Sequence, residues 1–472
     1  MNIHDPTGRI SHLFSTGKRN PCLLLLLAAA LANPAAARAQ AGFVDPSFLN
    51  NMSGPNSWTA ALARQPDGRL LVAGQFTSFN GVPGGEVVRL NTDGSVDTSF
   101  AASVTAGEPS IQSVAVQPDG RVLIGGMFSG INGVTHIRLA RLNADGTLDP
   151  GFVASANSSQ SFITVTHLAL QTNSQIVIGG WFESADGAPH TNIARLNSNG
   201  SLDTGYNAQI DTPPNALAMQ ADGKVLIGGA FGTVNGQARP HIARLNTNGT
   251  LDANFVVNAD GNVDSFAPQL DGKIVIGGGF TSINGTNRNR IARLNSNGTL
   301  DTTFQNGLAG ANGYVNCVAL DPAGKVLVGG QYSSLNGVGR TNLARLNSNG
   351  SLDTNFLADV DSYPEQMVVQ PDSRAVIQGS YITTVNGRSR NRLARLQSSS
   401  APIISQARLS GGIFSFDVNA VAGRTCGVEA STNLPGGWSL VLSTNAAFDN
   451  FTWSDPNPAQ FPRRFFRAYG PP

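Results

Sequence analysis

The stretch QPDGRVLIGGMFSGINGVTHIRLARLNADGTLDPGF, from Gln117 to Phe152, decides the fold of this chain. Three turn-forming pairs, Asp119-Gly120, Asn132-Gly133 and Asp145-Gly146, separate short runs of aliphatic and β-branched residues. Asn-Gly and Asp-Gly tolerate the positive φ angles that tight hairpin turns require. Together with the preceding apolar run, Ile111 to Val116, the stretch predicts four short antiparallel strands in one up-and-down sheet.

The same pattern recurs seven times along the chain, about 50 residues apart. A strand ending in Gly, any residue and an aromatic occurs at Val72–Phe76, Ile124–Phe128, Ile178–Phe182, Ile227–Phe231, Ile276–Phe280, Val328–Tyr332 and Ile377–Tyr381. An Arg-Leu-Asn motif follows each of these strands, with Gln in place of Asn in the seventh, and begins at Arg89, Arg141, Arg195, Arg244, Arg293, Arg345 and Arg395.

A third motif, Asp-x-x-aromatic, follows only six of the repeats, at Asp97–Phe100, Asp149–Phe152, Asp203–Tyr206, Asp252–Phe255, Asp301–Phe304 and Asp353–Phe356. The seventh repeat lacks it, and the spare copy lies near the start of the chain as Asp45–Phe48. A closed ring explains this offset, because the N-terminal strand would complete the last sheet and closure removes exposed sheet edges. The prediction is an all-β fold with a seven-bladed β-propeller over residues 42–398.

Where the three motifs line up, the chain resembles the delta-60 repeat family of bacterial proteins. The shared pattern is Q-P-D-G-K/R-V-L-I-G-G-x-F, then N-G, then I-A-R-L-N, then G-x-L-D-x-x-F, and it covers all seven repeats. The resemblance implies a secreted or surface-exposed bacterial β-propeller. It implies no reaction class and carries over no catalytic residues.

The first 39 residues are typical of an export signal. Lys18 and Arg19 precede the apolar run Cys22 to Ala32, and Ala37-Arg38-Ala39 offers a cleavage site. The apolar run is too short to span a bilayer, and no later segment is long enough. We therefore expect a signal peptide over residues 1–39, a mature chain without an integral membrane segment, and a location that is extracellular, at the cell surface or periplasmic.

The last 70 residues carry a different pattern. After a linker at 399–402, residues 403–472 contain strands with alternating polarity, such as Ile413 to Val418, and end in Arg463 to Ala468. This patterning favours a small immunoglobulin- or fibronectin-like β-sandwich. The segment resembles the C-terminal module of many large secreted bacterial proteins, a resemblance that implies no activity.

Residues that recur in every repeat are expected to be structural, because a ring has one central site and not seven equal ones. We predict that the repeated arginines and aspartates pair within or between blades, which would satisfy charges that are costly to bury alone. The structural set is Arg141, Asp149, Arg195, Asp203, Arg244, Asp252, Arg293, Asp301 and Asp45.

Metal, cofactor and nucleic-acid binding are not expected. The formal net charge is +1, which does not suit a polyanionic nucleic acid. The turn from Asn91 to Asp97 superficially resembles a calcium loop, but later repeats replace its acid with Asn, and hairpin geometry explains it better. Cys317 and Cys426, the cysteines left after cleavage, are interpreted as buried thiols, with a disulfide between them as the alternative.

Ligand binding is expected where the copies differ. The most variable segment lies between the second and third strands, on the face that also carries the loops linking the blades. Its basic residues, proposed as an anion-binding set, are His136, His190, Arg239, His241, Arg288, Arg290, Arg340, Arg388, Arg390 and Arg392. The partner would be an extracellular protein or an anionic polysaccharide. The alternative is a polar rim that only maintains solubility.

An exported, non-enzymatic binding or display protein is therefore the predicted function, with no catalytic residue assigned. A carbohydrate-active propeller, either a lyase or a glycosidase, is one alternative, and a purely structural spacer is another. The enzyme would need placed carboxylates or a base. Acids outside the repeated motifs include Asp211, Asp260, Asp264, Asp361 and Glu365.

Overall fold

The computed structural model describes residues 41–45, 47–49, 52–105, 110–157 and 164–398, with the backbone of eight further strands near the two ends of the chain. The chain divides into two compact units, Phe48–Leu396 and a second unit formed by Met1–Ser47 with Gln397–Pro472. All regular structure in the described part is β-strand, which confirms the all-β class. No helix among the described residues has the length and hydropathy needed to cross a membrane.

The first unit contains one main three-stranded antiparallel sheet per repeat, seven in the described residues, and each is ordered first, second, third. The first strands are Thr59–Arg64, Ser110–Val116, Thr164–Leu170, Pro214–Met219, Val263–Pro268, Tyr314–Leu320 and Gln366–Val369. The second strands are Leu70–Gly74, Val122–Met127, Ile176–Trp181, Val225–Gly229, Ile274–Gly278, Val326–Gln331 and Ala375–Gln378. The third strands are Val87–Leu90, Leu139–Leu142, Ile193–Leu196, Ile242–Leu245, Ile291–Leu294, Leu343–Leu346 and Leu393–Leu396.

The fourth strand of repeats one to six is shorter than the sequence pattern suggests. It is reduced to one isolated bridge after the third strand, as between Leu142 and Leu148. The Asp-x-x-aromatic motif then turns the chain away, because the Asp149 carboxylate accepts the Gly151 N–H at 2.9 Å and its carbonyl accepts the Phe152 N–H at 3.3 Å. The predicted four-stranded sheets are thus three strands and a bridge.

A short hairpin connects the second and third strands in every repeat. The hairpins are Ser78–Phe79 with Val82–Pro83, Gly130–Ile131 with Val134–Thr135, Ser184–Ala185 with Ala188–Pro189, Thr233–Val234 with Gln237–Ala238, Ser282–Ile283 with Thr286–Asn287, Ser334–Leu335 with Val338–Gly339, and Thr384–Val385 with Arg388–Ser389. Their turns place Asn132 at φ 51° and Gly133 at φ 79°, the left-handed conformation expected of Asn-Gly hairpins.

Each hairpin pairs with the segment that leads into the first strand of the same repeat. Two of these segments are strands, Val104–Thr105 and Ala156–Asn157, and the others are single bridges such as Ala259 to Ile283. Hairpins and linking segments therefore lie at the same end of each sheet. We call this end of the repeats the hairpin face.

Each glycine of the Gly-Gly pair is required for a different steric reason, as repeat five shows. A Cβ on Gly278 would lie 2.1 Å from the carbonyl oxygen of Asn262, at the bulge where the first strand begins. A Cβ on Gly277 would lie 2.6 Å from Cγ1 of Val315 in the next repeat. The pair thus permits close contact both within one sheet and between neighbouring sheets.

The hydrophobic core is shared between neighbouring repeats. One buried cluster joins Leu226 and Ile242 of repeat four to Phe255, Ile276 and Phe280 at repeat five. Another joins Phe48 and residues of repeat one to Val376 and Leu393 of repeat seven. Each buried cluster of the first unit combines residues of two repeats in this way, so the stability of a sheet depends on its neighbours.

Direct contacts also connect repeat seven to repeat one. Their first strands contact each other, and Nε2 of Gln378 donates to the Thr59 carbonyl at 2.8 Å. Nε2 of Gln366 donates to the Ala60 carbonyl at 2.8 Å. We call these contacts the seam.

At the end of repeat seven, a segment from the start of the chain takes the place of the missing turn. The Gln397 N–H donates to the Phe43 carbonyl at 2.8 Å, and the Gly42 N–H donates to the Gln397 carbonyl at 2.9 Å. Asn91, Gly94 and Ser95 form the same two bonds within repeat one.

The second unit contains two sheets. One has three strands, Ile403–Ser410, Ile413–Asn419 and Asn450–Ser454, and the other has five, Ile3–His4, Ile10–Phe14, Arg464–Tyr469, Thr425–Ser431 and Ser439–Asn445. Two of these strands lie within the predicted signal peptide. Its apolar run and cleavage site, and the side chain of Cys426, lie outside the described residues. Cys317 is a buried free thiol.

Candidate ligand-binding face

The repeated arginine is bonded within its own repeat and to the next. Nε of Arg141 donates to Asp149 at 2.8 Å, and its guanidinium carbon lies 4.8 Å from the centre of the Phe152 ring. Its Nη1 donates to the Ser198 carbonyl of the following repeat. One side chain therefore combines an ion pair, a cation–π contact and a bond between repeats.

The same arrangement recurs around the unit. Ion pairs of 2.7 to 2.9 Å join Arg89 to Asp97, Arg195 to Asp203, Arg244 to Asp252, Arg293 to Asp301, and Arg345 to Asp353. In repeat seven, Arg395 lies over the Phe48 ring at 4.7 Å and donates to the Thr92 carbonyl of repeat one at 2.6 Å. Asp45, in the N-terminal segment, accepts the backbone N–H of Ser47 at 2.9 Å and its hydroxyl at 2.7 Å.

A second cation reaches most of these carboxylates. In repeat five, Nζ of Lys273 lies 2.9 Å from the Asp301 carboxylate that also pairs with Arg293. Burial alone would raise the pKa of Asp301, but hydrogen bonds from Thr303, Lys273 and Arg293 outweigh it and hold the pKa below its ordinary value. These carboxylates are therefore ionised and fully engaged in holding the repeats together.

The variable basic residues fall into two repeated positions. The first position ends the hairpin, and its N–H donates to the carbonyl seven residues earlier, as from Arg288 to Thr281 at 2.8 Å. It is occupied by His136, His190, Arg239, Arg288, Arg340 and Arg390 in repeats two to seven. We call these six residues the basic arc.

Hydrogen bonds to the hairpin backbone fix the arginine side chains of the basic arc. Nη1 of Arg239, Arg288 and Arg340 each donates to the carbonyl of the preceding residue at 2.8 to 2.9 Å. Burial lowers the pKa of His136 and His190, so both are neutral at pH 7. The positive charge of the arc therefore comes from repeats four to seven.

The second position lies two residues later and has a left-handed backbone. His241, Arg290 and Arg392 have φ between 61° and 67°. Arg290 donates to the Ala311 carbonyl at 3.1 Å, and Arg392 to the Pro55 carbonyl at 3.4 Å, each in the segment leading into the next repeat. These residues connect repeats. Arg388 is exposed on its hairpin strand.

Three acids that the sequence offered for catalysis hold hairpins instead. The Asp260 carboxylate accepts the N–H groups of Thr281 and Ser282 at 2.7 and 2.8 Å. Burial opposes its ionisation, but these bonds and the Thr281 hydroxyl lower the pKa of Asp260 to about 2. Asp211 and Asp361 make equivalent contacts in repeats four and seven.

Two other acids lie at equivalent positions where a first strand begins. Asp264 accepts the Tyr314 hydroxyl at 2.5 Å and the Asn215 amide at 2.6 Å, so its carboxylate joins the first strands of repeats four, five and six. Burial raises its pKa despite these bonds. At the same position of repeat seven, Glu365 accepts the Ser380 hydroxyl at 2.8 Å. Among the described residues, no cluster of His, Cys, Asp and Glu could hold a metal ion.

An aromatic cluster on the hairpin face was missed by the sequence argument. Trp58 immediately precedes the first strand of repeat one, Tyr363 lies three residues before that of repeat seven, and Tyr381 follows the second strand of repeat seven. The ring centres of Trp58 and Tyr381 are 6.4 Å apart, and those of Tyr363 and Tyr381 are 6.2 Å apart.

The sequence pattern aligns Tyr381 with the buried aromatic that ends each second strand, and that alignment is wrong. Ile382 occupies the buried position, with no exposed surface, and Tyr381 is 55% exposed. The Arg392 N–H donates to the Ile382 carbonyl at 2.8 Å, just as Arg290 does to Phe280. Repeat seven therefore contains one inserted residue. Counting back from its Asn-Gly turn would have found the insertion.

A pocket of about 480 Å³ opens beside this cluster, between repeats six and seven. Its lining is mostly polar and is formed by Asn312, Gly313, Gln331, Tyr332, Ser333, Asn342, Asp361, Ser362 and Tyr363. Tyr363 belongs to both the pocket and the aromatic cluster.

Comparison with protein families supports the repeat assignment. Residues 65–100, 117–152, 171–206, 220–255, 269–304 and 322–356 each match the family described as "Domain of unknown function (DUF5122) beta-propeller". The prediction of a β-propeller repeat protein is confirmed at this level. The narrower resemblance to delta-60 repeats and that of the C-terminal module stay predictions.

The solved structures that this chain is similar to are distant. A virginiamycin B lyase from Staphylococcus aureus is 9% identical, with a TM-score of 0.46 over 74% of this chain and 96% of that chain. A GH74 xyloglucanase from Xanthomonas campestris is 11% identical, with a TM-score of 0.42 over 81% and 59%. A gluconolactonase from Xanthomonas campestris is 16% identical, with a TM-score of 0.37 over 63% and 96%. No curated protein matches the chain.

Proposed function

We propose that this β-propeller repeat protein is an exported, non-enzymatic binding protein that presents its hairpin face to an anionic polysaccharide. In this proposal the first unit is a closed ring of seven blades and the second unit is a small β-sandwich. The ring would place the hairpins of all seven repeats around one surface, as in other propellers.

Closure of the ring is supported by the seam. Gln378 and Gln366 of repeat seven donate hydrogen bonds to Thr59 and Ala60 of repeat one. Phe48 is fully buried between repeats one and seven. An open array would leave both of these surfaces uncovered.

The basic arc is the observation that carries the proposed function. Arg239, Arg288 and Arg340 recur at one position, and none of the ion pairs among the described residues involves them. Several cations at a regular spacing suit a polymer with regularly spaced negative charges. The neighbouring acids Asp211, Asp260 and Asp361 are engaged by backbone N–H groups, which supports binding over catalysis.

The test is binding of the purified chain to alginate and dextran sulfate, with neutral dextran as the control ligand. We expect the triple variant Arg239→Glu, Arg288→Glu, Arg340→Glu to bind both polyanions at least about tenfold more weakly, a change of about 1.4 kcal/mol. The matched variant with Lys at all three positions should keep most of the binding, and added salt should weaken it. Unchanged binding by the Glu variant would exclude the proposal.

A carbohydrate-active enzyme is the second candidate, and Asp264 is the observation that favours it. A carboxyl with a raised pKa beside a tyrosine hydroxyl is one arrangement used for proton transfer. The check is release of reducing ends from the same polysaccharides. Activity that disappears in Asp264→Asn, with binding unchanged, would replace the binding proposal by the enzymatic one.

A further inference from the structure

The surface around repeats six, seven and one differs from the rest of the hairpin face in its aromatic content. The residue that leads into the first strand is aromatic in these three repeats, as Tyr314, Tyr363 and Trp58. The same position is Pro213 in repeat four and Asn262 in repeat five. Three consecutive repeats therefore have an aromatic residue at the same structural position on the hairpin face.

The insertion in repeat seven adds a fourth ring to this group. It moves Tyr381 out of the core, so that 55% of its surface is exposed, next to Trp58 at 53%. The rings of this pair meet at 56°, and those of Tyr363 and Tyr381 at 49°. Exposing two large aromatic rings side by side costs hydrophobic stabilisation, which is typical of a binding surface.

The adjoining pocket supplies hydrogen-bonding groups. Asn312, Gln331, Ser333 and Asn342 line it, and its volume of about 480 Å³ falls in the range of small-ligand sites. Asn312 is held in place, because its Oδ1 accepts the N–H groups of Ser333 and Ser334 at 3.0 and 2.9 Å. Nδ2 of Asn342 is likewise fixed on the Val360 carbonyl at 2.9 Å. The polar wall is therefore preorganised.

Aromatic rings beside fixed amides and hydroxyls match the chemistry of a sugar ring, which has an apolar C–H face and a hydroxyl edge. Of the residues that line the pocket, Asp361 alone is charged, which disfavours an acidic sugar, while Arg340 interacts electrostatically with Tyr332 from outside the lining. The basic arc and this pocket would thus differ in the ligands that they prefer.

We propose that the pocket between repeats six and seven, with the cluster of Trp58, Tyr363 and Tyr381, is a binding subsite for an uncharged sugar of a polysaccharide chain. The pocket takes the hydroxyl edge of one sugar, and the exposed rings stack on the next. This inference deepens the proposed function by naming a sugar class, but it depends on different residues.

The experiment is affinity measurement of the full chain on soluble neutral glucans, mannans and xylans, followed by single variants on whichever glycan binds. We expect Tyr381→Ala and Trp58→Ala each to weaken binding about tenfold or more, because buried aromatic anchors dominate such interfaces. Tyr381→Phe should keep most of the affinity, since the ring remains. The fluorescence of Trp58 should change on binding, and this change should disappear in Trp58→Ala.

Trp181→Ala is the matched control. Trp181 is 54% exposed at the end of the second strand of repeat three, away from the cluster, and its removal should leave affinity unchanged. The Arg239, Arg288 and Arg340 triple variant should also bind neutral glycan normally, so failure of the polyanion proposal and failure of the subsite can be told apart. Binding to none of the neutral glycans would overturn the subsite. Equal loss in Trp181→Ala, or no loss in both cluster variants, would also overturn it.

Discussion

Repeat five and repeat seven share one pattern of strands and hairpin, yet they differ at the end of the second strand and after the third. Repeat five has Gly277 against the next repeat, a buried Phe280 and its own Asp301–Phe304 motif. Repeat seven has Gln378, an inserted Tyr381 and no such motif. Repeat five contacts two ordinary neighbours, while repeat seven contacts repeat one and the N-terminal segment.

The comparison shows that the substitutions of repeat seven belong to two groups with different effects. Gln378 and Gln366 make hydrogen bonds across the seam, where Gly and Ser stand in repeat five. Tyr381 makes no such bond and lies exposed on the hairpin face. One repeat therefore combines changes that hold the unit together with changes that alter its surface.

The largest expected effect concerns the segment that completes repeat seven. Phe48→Ala should reduce the free energy of unfolding by about 3–5 kcal/mol, as should Phe304→Ala in the region of repeat five. Both rings are fully buried and lie under an arginine, at 4.7 and 4.8 Å. Denaturant unfolding measures both. A cost for Phe48 below about 1 kcal/mol would mean that the N-terminal segment is not part of this core.

The next two predictions concern two aspartates of repeat five whose contributions to stability should depend on pH in opposite ways. Asp301→Asn removes the partner of buried Arg293 and should cost about 3 kcal/mol at pH 7. Because the folded-state pKa of Asp301 lies below its ordinary value of 3.8, its contribution is present above that value and lost as pH falls through the folded-state pKa. Unfolding curves at pH 7 and at pH about 2 should show the difference between wild type and variant shrinking.

Asp264→Asn should behave in the opposite way. Its folded-state pKa is raised, so its ionisation in the folded protein costs stability once pH rises through that pKa. Removing the charge should leave stability at pH 7 unchanged or higher by about 1 kcal/mol. A loss as large as that of Asp301→Asn would show that its bonds to Tyr314 and Asn215 outweigh the cost of burying the charge.

Exchanging one residue between the two repeats should give an effect smaller than that of Phe48→Ala. Gly277→Gln should cost about 1–3 kcal/mol, because its Cβ would crowd Val315. Gln378→Gly should cost about 1–2 kcal/mol through the lost bonds to Thr59. Thermal unfolding of both variants tests this, and a stabilised Gln378→Gly would contradict the role of the seam.

The smallest effect concerns the exposed hairpin acids. Asp260→Ala and Asp361→Ala should each cost less than about 1 kcal/mol, since the freed N–H groups can bond to water. Only Asp361 lines the pocket, so only its loss should weaken neutral glycan binding. Titration measures both affinities. Equal binding by the two variants would show that Asp361 does not contribute to glycan binding in the pocket.

The repeating part of the fold was predictable because its signals are local. Turn pairs such as Asn132-Gly133 and the alternation of buried residues fix strand positions without reference to the rest of the chain. The reduction of the fourth strand was not predictable, because Leu148 has the same apolar character whether it forms one bridge or a longer strand.

The candidate site was harder to predict, since it depends on backbone geometry that the residue types do not reveal. Arg288 and Arg290 look equivalent in the sequence, but only Arg290 has a left-handed backbone, and its side chain is directed to the next repeat. Tyr381 lies at the same distance from the start of the second strand as the buried aromatics do. Only the position of Asn386-Gly387 indicates the extra residue.

The bond between Gln378 and the Thr59 carbonyl joins residues 319 positions apart in the chain. A chain emerging from the ribosome must therefore complete nearly all of the first unit before this bond can form. Until then the contacts between repeats seven and one are absent, and the entropy of closing so long a loop is lost when they form. The order of synthesis thus delays completion of the first unit until its last repeat has been made.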